Sequence, residues 1–431
     1  MSRRRTTVGT AALLACLGAV PALWAWEGQG MIDTVPTAAL VQTGPGQPWT
    51  QTEFTELTAQ GALSDSQSLG SGLSLSGTAW AMADSLPSGD PRVTPASKVD
   101  LQTRLLELKL SWEAIPGSLI WDVGKKVIHP SSGFFRTPLN VMSRGALGNS
   151  ANISGSAVGT WEEGWIGTEV TFLTGPASFS NFFSPRLRWT GSTDQALQYV
   201  TQQQPDFQDL ARVDLRLGEA DVRLLGLLTS GGPGSADPDV LATLGAGVDT
   251  NVGDAITVRA EASAAQSQTR LEVTDAAALQ TGTQTVSWAP SALAGFTWTN
   301  ADQLSVMAEY WYNGLGLSGA AYTRLIDYMR TRRSTLGSPA PDVMDQFGTL
   351  TAGQHYGFVR VSGKIDDSLS AAAWTAMNLQ DPSGLSAVVL TLTHDAWTVN
   401  ASAMDAWGST RTEAGLLPML WRIDLQVSLF L

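Results

Sequence analysis

From about Gly72 to its end, the chain repeats segments of roughly ten residues in which apolar and polar side chains alternate, the two-residue period of a strand with one face buried. The last segment shows it most clearly. Trp421, Ile423, Leu425, Val427, Leu429 and Leu431 share one face, and Arg422, Asp424, Gln426, Ser428 and Phe430 share the other. No stretch of the body reaches the roughly 18 apolar residues of a spanning helix. A single strand of this kind also suits a soluble sandwich, so the connections between strands have to separate the readings.

Short and long connections alternate. Asp395-Ala396, Asp366-Asp367, Gly253-Asp254, Gly218-Glu219, Gly175 to Ser178 and Glu113 to Ser118 are tight. Between them run longer polar stretches at 83–98, 128–160, 191–207, 230–239, 266–283, 313–354 and 409–419. Strict alternation puts every tight turn at one end of an up-and-down meander. This predicts an all-β fold, a transmembrane antiparallel β-barrel with short periplasmic turns and long external loops. The count is about 16 strands, within a range of about 14 to 18, an even number that leaves both termini in the periplasm. Their expected centres lie near residues 77, 106, 123, 167, 184, 212, 225, 245, 259, 291, 307, 359, 373, 389, 401 and 426. A change of parity near Leu105 and Leu106 predicts a bulge. Trp112 and Trp121 flank one tight turn, Trp298 and Trp397 lie beside two others, and Trp161, Trp189, Trp407 and Trp421 lie toward the opposite ends, as indoles at two membrane interfaces would.

Composition narrows the class. The chain has 431 residues, 26 Lys+Arg against 39 Asp+Glu and a net charge of −13, which argues against a nucleic-acid binder. Its single cysteine excludes a disulfide framework or a cysteine-ligated zinc site. Arg3, Arg4 and Arg5 precede an apolar run with no charge before Glu27, the pattern of a signal peptide over residues 1–25. Its removal leaves 23 basic against 39 acidic residues, a net −16, and takes the cysteine with it. The expected organisation is signal peptide 1–25, a periplasmic lead-in 26–71 in which 53–61 could form an extra strand, and a barrel over 72–431.

Residues 105–142, LLELKLSWEAIPGSLIWDVGKKVIHPSSGFFRTPLNVM, resemble a segment of large outer-membrane porin-like barrels, including the alginate-export-like group. There a strand ending in Gly-[Lys/Arg]-[Gln/Lys] runs into a loop with an aromatic and a Pro-Leu-[Asn/Asp]. The matching residues are Gly124, Lys125, Lys126, Phe135, Pro138, Leu139 and Asn140, with a fainter match at EYWYNGLG, residues 309–316. Two departures stand out: His129-Pro130 replaces a frequent Trp-Gly, and the chain ends Phe430-Leu431 rather than in an aromatic residue. The resemblance implies an outer-membrane channel.

With the apolar parity facing lipid, the other parity lines the lumen. It brings inward Arg186, Arg188, Arg212, Arg216 and Arg223 with Asp214 and Asp221 between them, then Arg259 with Glu261, Arg360 with Lys364, and Arg422 with Asp424. Such a wall could select anions; equally, Arg–Asp pairs across neighbouring strands could neutralise one another. Loop 128–160, with His129, Phe134, Phe135, Arg136, Pro138 and Asn140, is the candidate constriction, and loop 313–354 carries the helix-forming AAYTRLIDYMRTRR. Enzyme signals are poor. Gly314, Gly316 and Gly319 match GxGxxG formally, but no parallel βαβ pattern follows, and His129, His355 and His394 have no metal-ligand spacing. The expectation is a non-enzymatic porin-like channel in the outer membrane, without cofactor or metal, passing small hydrophilic solutes with a preference for anions. Its partners would be lipid, lipopolysaccharide and the barrel-assembly machinery through strand 421–431, with a homotrimer open and no nucleic acid. The alternatives are a dedicated conduit, for export of an acidic polysaccharide or uptake of a hydrophobic substrate, and a plugged structural or adhesive barrel.

Overall fold

The computed structural model describes residues 29–41, 50–85, 100–128, 131–139, 141–142, 164–185, 207–230, 240–336, 351–416 and 419–430. Eighteen strands run through them in one sheet. In chain order these are β1 (Gln29–Val41), β2 (Thr50–Gly70), β3 (Leu73–Ser85), β4 (Asp100–Ile115), β5 (Leu119–Lys126), β6 (Trp165–Thr174), β7 (Ala177–Pro185), β8 (Phe207–Leu217) and β9 (Ala220–Ser230). They continue as β10 (Val240–Val252), β11 (Ile256–Asp275), β12 (Gln280–Thr299), β13 (Ser305–Asn313), β14 (His355–Lys364), β15 (Leu369–Asn378), β16 (Ser383–His394), β17 (Trp397–Trp407) and β18 (Met419–Phe430). One helix, α1 (Gly319–Leu336), lies between β13 and β14, and a 3₁₀ turn forms at Ala414–Leu416. Among the described residues no helix is long and apolar enough to cross a membrane.

Each strand pairs antiparallel with the next, and β1 pairs with β18 as well as with β2, so the sheet closes on itself. A closed ring has no free edge along its shared height. The alternation then sorts side chains between two environments. Leu108, Leu110 and Trp112 on β4, Val170 and Phe172 on β6, Leu224 and Leu228 on β9, Val388, Leu390 and Leu392 on β16, and Ile423 and Leu425 on β18 are all exposed on the outside. Residues of the other parity, among them Asp122, Glu169, Glu261 and Glu309, are buried on the inside. A water-soluble sheet would put these two sets the other way round; hydrocarbon outside accounts for both. Trp112 and Trp121 lie 6.3 Å apart on the outer face beside the turn at 116–118, and the Trp121 indole N–H donates to Thr168 Oγ1 at 2.6 Å.

All sixteen expected strand centres fall within β3 to β18, and α1 covers the expected helical stretch. The bulge is at Leu106: Thr78 faces Glu107 and Ala79 faces Leu105, leaving Leu106 as the extra residue, buried in the wall. Three expectations are corrected. Residues 29–41 and 50–70 are wall strands rather than a lead-in, and the suggested strand 53–61 lies within β2. The stretch 266–283 is a turn of four residues between β11 and β12, because both strands run far past the ends of β10 and β13. Alternation of connection length therefore fails at two places of the loop-rich end, there and at 379–382, where again only four residues join β15 to β16. Residues 1–25, the expected signal peptide, lie outside the described residues.

Candidate functional site

The segment after β5 turns into the lumen. Its start is fixed by Gly124, whose φ of +136° suits glycine, and where an added Cβ would lie 2.2 Å from the Leu108 carbonyl oxygen. Residues 131–139 then cross to the far wall, where two carboxylates receive their backbone. Glu261 Oε1 on β11 accepts the amide N–H groups of Ser132 at 2.5 Å and Gly133 at 3.2 Å, and its Oε2 accepts the Ser131 hydroxyl at 2.5 Å. Glu309, the middle residue of β13, accepts the N–H of Phe134 on Oε1 at 3.0 Å and of Phe135 on Oε2 at 2.7 Å. Asp249 on β10 accepts the Ser132 hydroxyl at 2.8 Å. Arg259 joins the two halves, donating to the Ser132 carbonyl at 3.1 Å and to Thr297 Oγ1 at 3.0 Å, with Glu309 Oε1 at 3.4 Å. Charge-assisted bonds to four consecutive amides fix position and direction together.

Apolar packing completes the docking. Phe135 stacks on Phe358 of β14 with ring centroids 5.2 Å apart and meets Trp311 of β13 edge-on at 6.4 Å. Phe134 lies against the same Phe358 at 5.4 Å. The Arg136 guanidinium covers the Phe135 and Trp311 rings at 4.9 and 5.2 Å, and that of Arg360 covers Phe134 at 5.1 Å. Leu139, with no exposed surface, sits over Gly245 and Gly247 of β10; a Cβ at either glycine would come within 2.7 Å of its methyl groups. Pro138 is buried beside it. Because Glu309, Phe358 and Arg360 lie in the middle of their strands, the loop is held at about half the height of the wall.

Around the ring the lumen wall changes sign. On β4 to β6 it carries Lys109 with Glu107 at 3.4 Å, and Lys126 between Asp122 at 2.5 Å and Glu169. The inward serines Ser178, Ser180 and Ser184 of β7 follow. On β8 and β9, Asp214 pairs with both Arg212 and Arg223, each at 2.9 Å through Nε. Asp214 stands directly opposite Arg223, and Arg216 opposite Asp221, so three arginines and two carboxylates share the inward face of this strand pair. Arg186, Arg188, His129 and Asn140 lie outside the described residues. Arg360 has no carboxylate partner among the described residues, and its Nε is buried without a hydrogen bond. Arg422 and Asp424 occupy β18 at the register of Met404 and Ser402, alternating with the exposed Ile423 and Leu425.

The sequence reading marked 313–354 as a constriction or lid but missed the residues that hold the loop-rich mouth together. Glu413, just before the 3₁₀ turn, accepts the N–H groups of Thr351 and Ala352 on one oxygen, both at 2.9 Å. Its other oxygen accepts the Tyr356 hydroxyl at 2.8 Å and the Asn378 amide at 2.7 Å. Asp381, between β15 and β16, accepts the Tyr322 hydroxyl of α1 at 2.5 Å and the Glu413 N–H at 2.9 Å. One face of α1, with Tyr322, Leu325, Ile326 and Met329, packs with Leu271 and Val273 of the extended β11 and with Leu317, Ala352 and Leu416. The formal GxGxxG has a packing cause. Gly314 presses on Pro290 and Gly316 on Gly353, where a Cβ would come within 2.2 and 1.8 Å of a carbonyl oxygen, and Gly319 opens α1 with φ +54°.

No family model matches the chain, and no curated protein resembles it in sequence. Solved structures do resemble it in fold. OccAB4 of Acinetobacter baumannii aligns over 94% of this chain and 97% of its own at 9% identity, with a TM-score of 0.52. OccD3 (OpdP) of Pseudomonas aeruginosa covers 94% and 91% at 12% identity and a TM-score of 0.47, and Salmonella typhi OmpF in complex with daunomycin covers 93% and 97% at 8% identity and 0.48. The OccAB4 likeness carries the comparison. The chain has the fold of outer-membrane porin-like β-barrels.

Proposed function

We propose that this protein is an outer-membrane channel through which small hydrophilic solutes diffuse passively, without enzymatic chemistry. The observation that carries the reading is the closed ring itself: apolar outside, charged inside, with loop 131–139 held across the lumen at half height by Glu261 and Glu309. Such a loop narrows a water-filled passage, and the charges on the wall beside it bias which solutes pass. The outer band contacts lipid and lipopolysaccharide, and the chain reaches the outer membrane by an N-terminal signal peptide and assembles through β18.

Anion preference is the finer part of the proposal. Arg212 and Arg223 share one carboxylate, Asp214, which the Arg223 Nε–H meets in a hydrogen bond and the Arg212 guanidinium meets as an ion pair without one. The test is single-channel conductance and reversal potential of the refolded protein in a planar bilayer under a salt gradient. The parent should conduct steadily with an anion-shifted reversal, and Arg212→Gln with Arg223→Gln should lower the anion/cation permeability ratio. An unchanged ratio would sink the role of these arginines, and a folded but silent barrel would sink the passive channel.

One observation favours a second reading, a dedicated conduit. The inward face from β13 to β16 is largely apolar, with Trp311, Phe358, Trp374, Ala376, Leu385 and Ala387, and with Met307 beside them. A solute with an apolar part would find a surface there. Concentration-dependent block of the conductance by such a solute separates the conduit from the general channel.

A further inference from the structure

Arg360 of β14 and Trp374 of β15 stand directly opposite each other on the inward parity, at the height of the docked loop. Ring contacts close them into one group. The Arg360 guanidinium lies 5.1 Å over the Phe134 ring, Phe134 lies 5.4 Å from Phe358, and Phe358 lies 6.1 Å from Trp374. Met307 and Ala387 flank the pair in register on β13 and β16, so no acidic side chain stands beside either member along that row. Glu309, two residues along β13 from Met307, already uses its oxygens for the Phe134 and Phe135 amides and for Arg259.

Two donors of this group have no acceptor. Trp374 is 4% exposed, yet its indole N–H makes no hydrogen bond, and neither does the buried Nε–H of Arg360. Inward cations elsewhere are matched: Lys109 by Glu107, Lys126 by Asp122 and Glu169, Arg212 and Arg223 by Asp214, and Arg259 by Glu309. Native proteins leave few buried donors without acceptors, and two in one row mark a place that an acceptor completes. A guanidinium stacked over a ring keeps its N–H donors at its edge, where an oxyanion meets them in plane. We propose that Arg360 and Trp374 form an oxyanion-binding station at the constriction, which holds the carboxylate or phosphate group of a passing solute. Arg360 is only partly buried, so the anion meets the guanidinium first, and one of its oxygens then takes the indole N–H. The inference rests on the channel reading above. It places selection at half height on a different wall from the β8 and β9 arginines.

The experiment measures how inorganic phosphate and acetate, each in turn, reduce the chloride current through single channels of the refolded full chain at fixed pH and ionic strength. In the parent the current should fall and saturate. Arg360→Gln removes the charged donor, so the half-blocking concentration should rise about tenfold or more and the anion/cation permeability ratio should fall. Trp374→Phe keeps a ring and loses only a neutral donor, so that concentration should rise about threefold while the ratio stays near the parent's. A conducting parent that neither anion blocks, or a half-blocking concentration unmoved in either variant, would overturn the station and leave the channel standing. A folded parent that never conducts would count against the channel reading. Calorimetric titration of phosphate into the detergent-folded parent and Arg360→Gln then decides the station: binding that the variant loses supports it, and equal binding or none sinks it. Heat-modifiable migration in detergent gels certifies that each variant has folded.

Discussion

At the scale of single residues, parity decides what a side chain can be. Leu425 is 43% exposed on the outer face of β18, next to Ile423 at 50%. Placed against hydrocarbon, a leucine is stabilising, whereas an arginine there costs about 2 to 4 kcal/mol near the bilayer midplane. Leu425→Arg should reduce the folded fraction recovered on refolding into lipid, read as the heat-modifiable band. Met404→Gln, at an inward position of the adjacent β17, should leave that fraction near the parent's. Equal losses at the two positions would overturn the register. This much was legible in the sequence, because a two-residue period names the faces of a strand. The role of Glu309 was not: a carboxylate of lumen parity reads the same whether it meets water or receives the backbone of a loop distant in sequence. Asp214 had one legible role, pairing with Arg223 opposite it, but its second partner, Arg212, follows from side-chain reach within one strand.

At the scale of elements, the half-height loop depends on carboxylates that keep both oxygens as acceptors. Glu309 uses one oxygen for Phe134 and the other for Phe135. Glu309→Gln turns one of these positions into an NH₂ facing an N–H, leaving a buried donor without an acceptor, at a cost of about 1 to 3 kcal/mol. Glu261→Gln does the same to the Ser131–Gly133 side. Together they should free the loop from β11 and β13 without opening the ring, since no strand pairing involves either carboxylate. Conductance should rise, with added flicker, while heat-modifiability persists. Conductance and noise identical to the parent would show that the loop is held by its aromatic contacts alone, Phe135 on Phe358 foremost. The sequence marked this loop as a constriction by its length and its phenylalanines. It could not mark where the loop docks, because Gly245 and Gly247, which make room for Leu139, lie more than a hundred residues away and look like ordinary strand glycines.

At the scale of the whole molecule, closure is the property that the sequence under-reported. Sixteen strands were visible, but of the other two β1 was hidden and β2 showed only as the possible extra strand 53–61, for a physical reason. β1 carries Asp33 and Pro36 within a run of small residues, and β2 is rich in Thr, Gln and Ser, so neither shows the Leu/Val/Trp stripe that reveals β4 or β16. Their place in the wall is set by pairing, with β1 bridging β18 and β2 from Met31 opposite both Phe430 and Ala62. Deleting residues 29–41 tests this. In an eighteen-strand ring the deletion exposes the backbone edges of β2 and β18 to lipid, where unpaired N–H and C=O groups are each costly, and no register remains to bring those edges together without changing strand number and tilt at once. The shortened chain should fail to form a heat-modifiable barrel and should be degraded by added protease. If 29–41 were a lead-in outside the wall, the same chain would fold, resist protease and conduct, and the ring would have to close without β1.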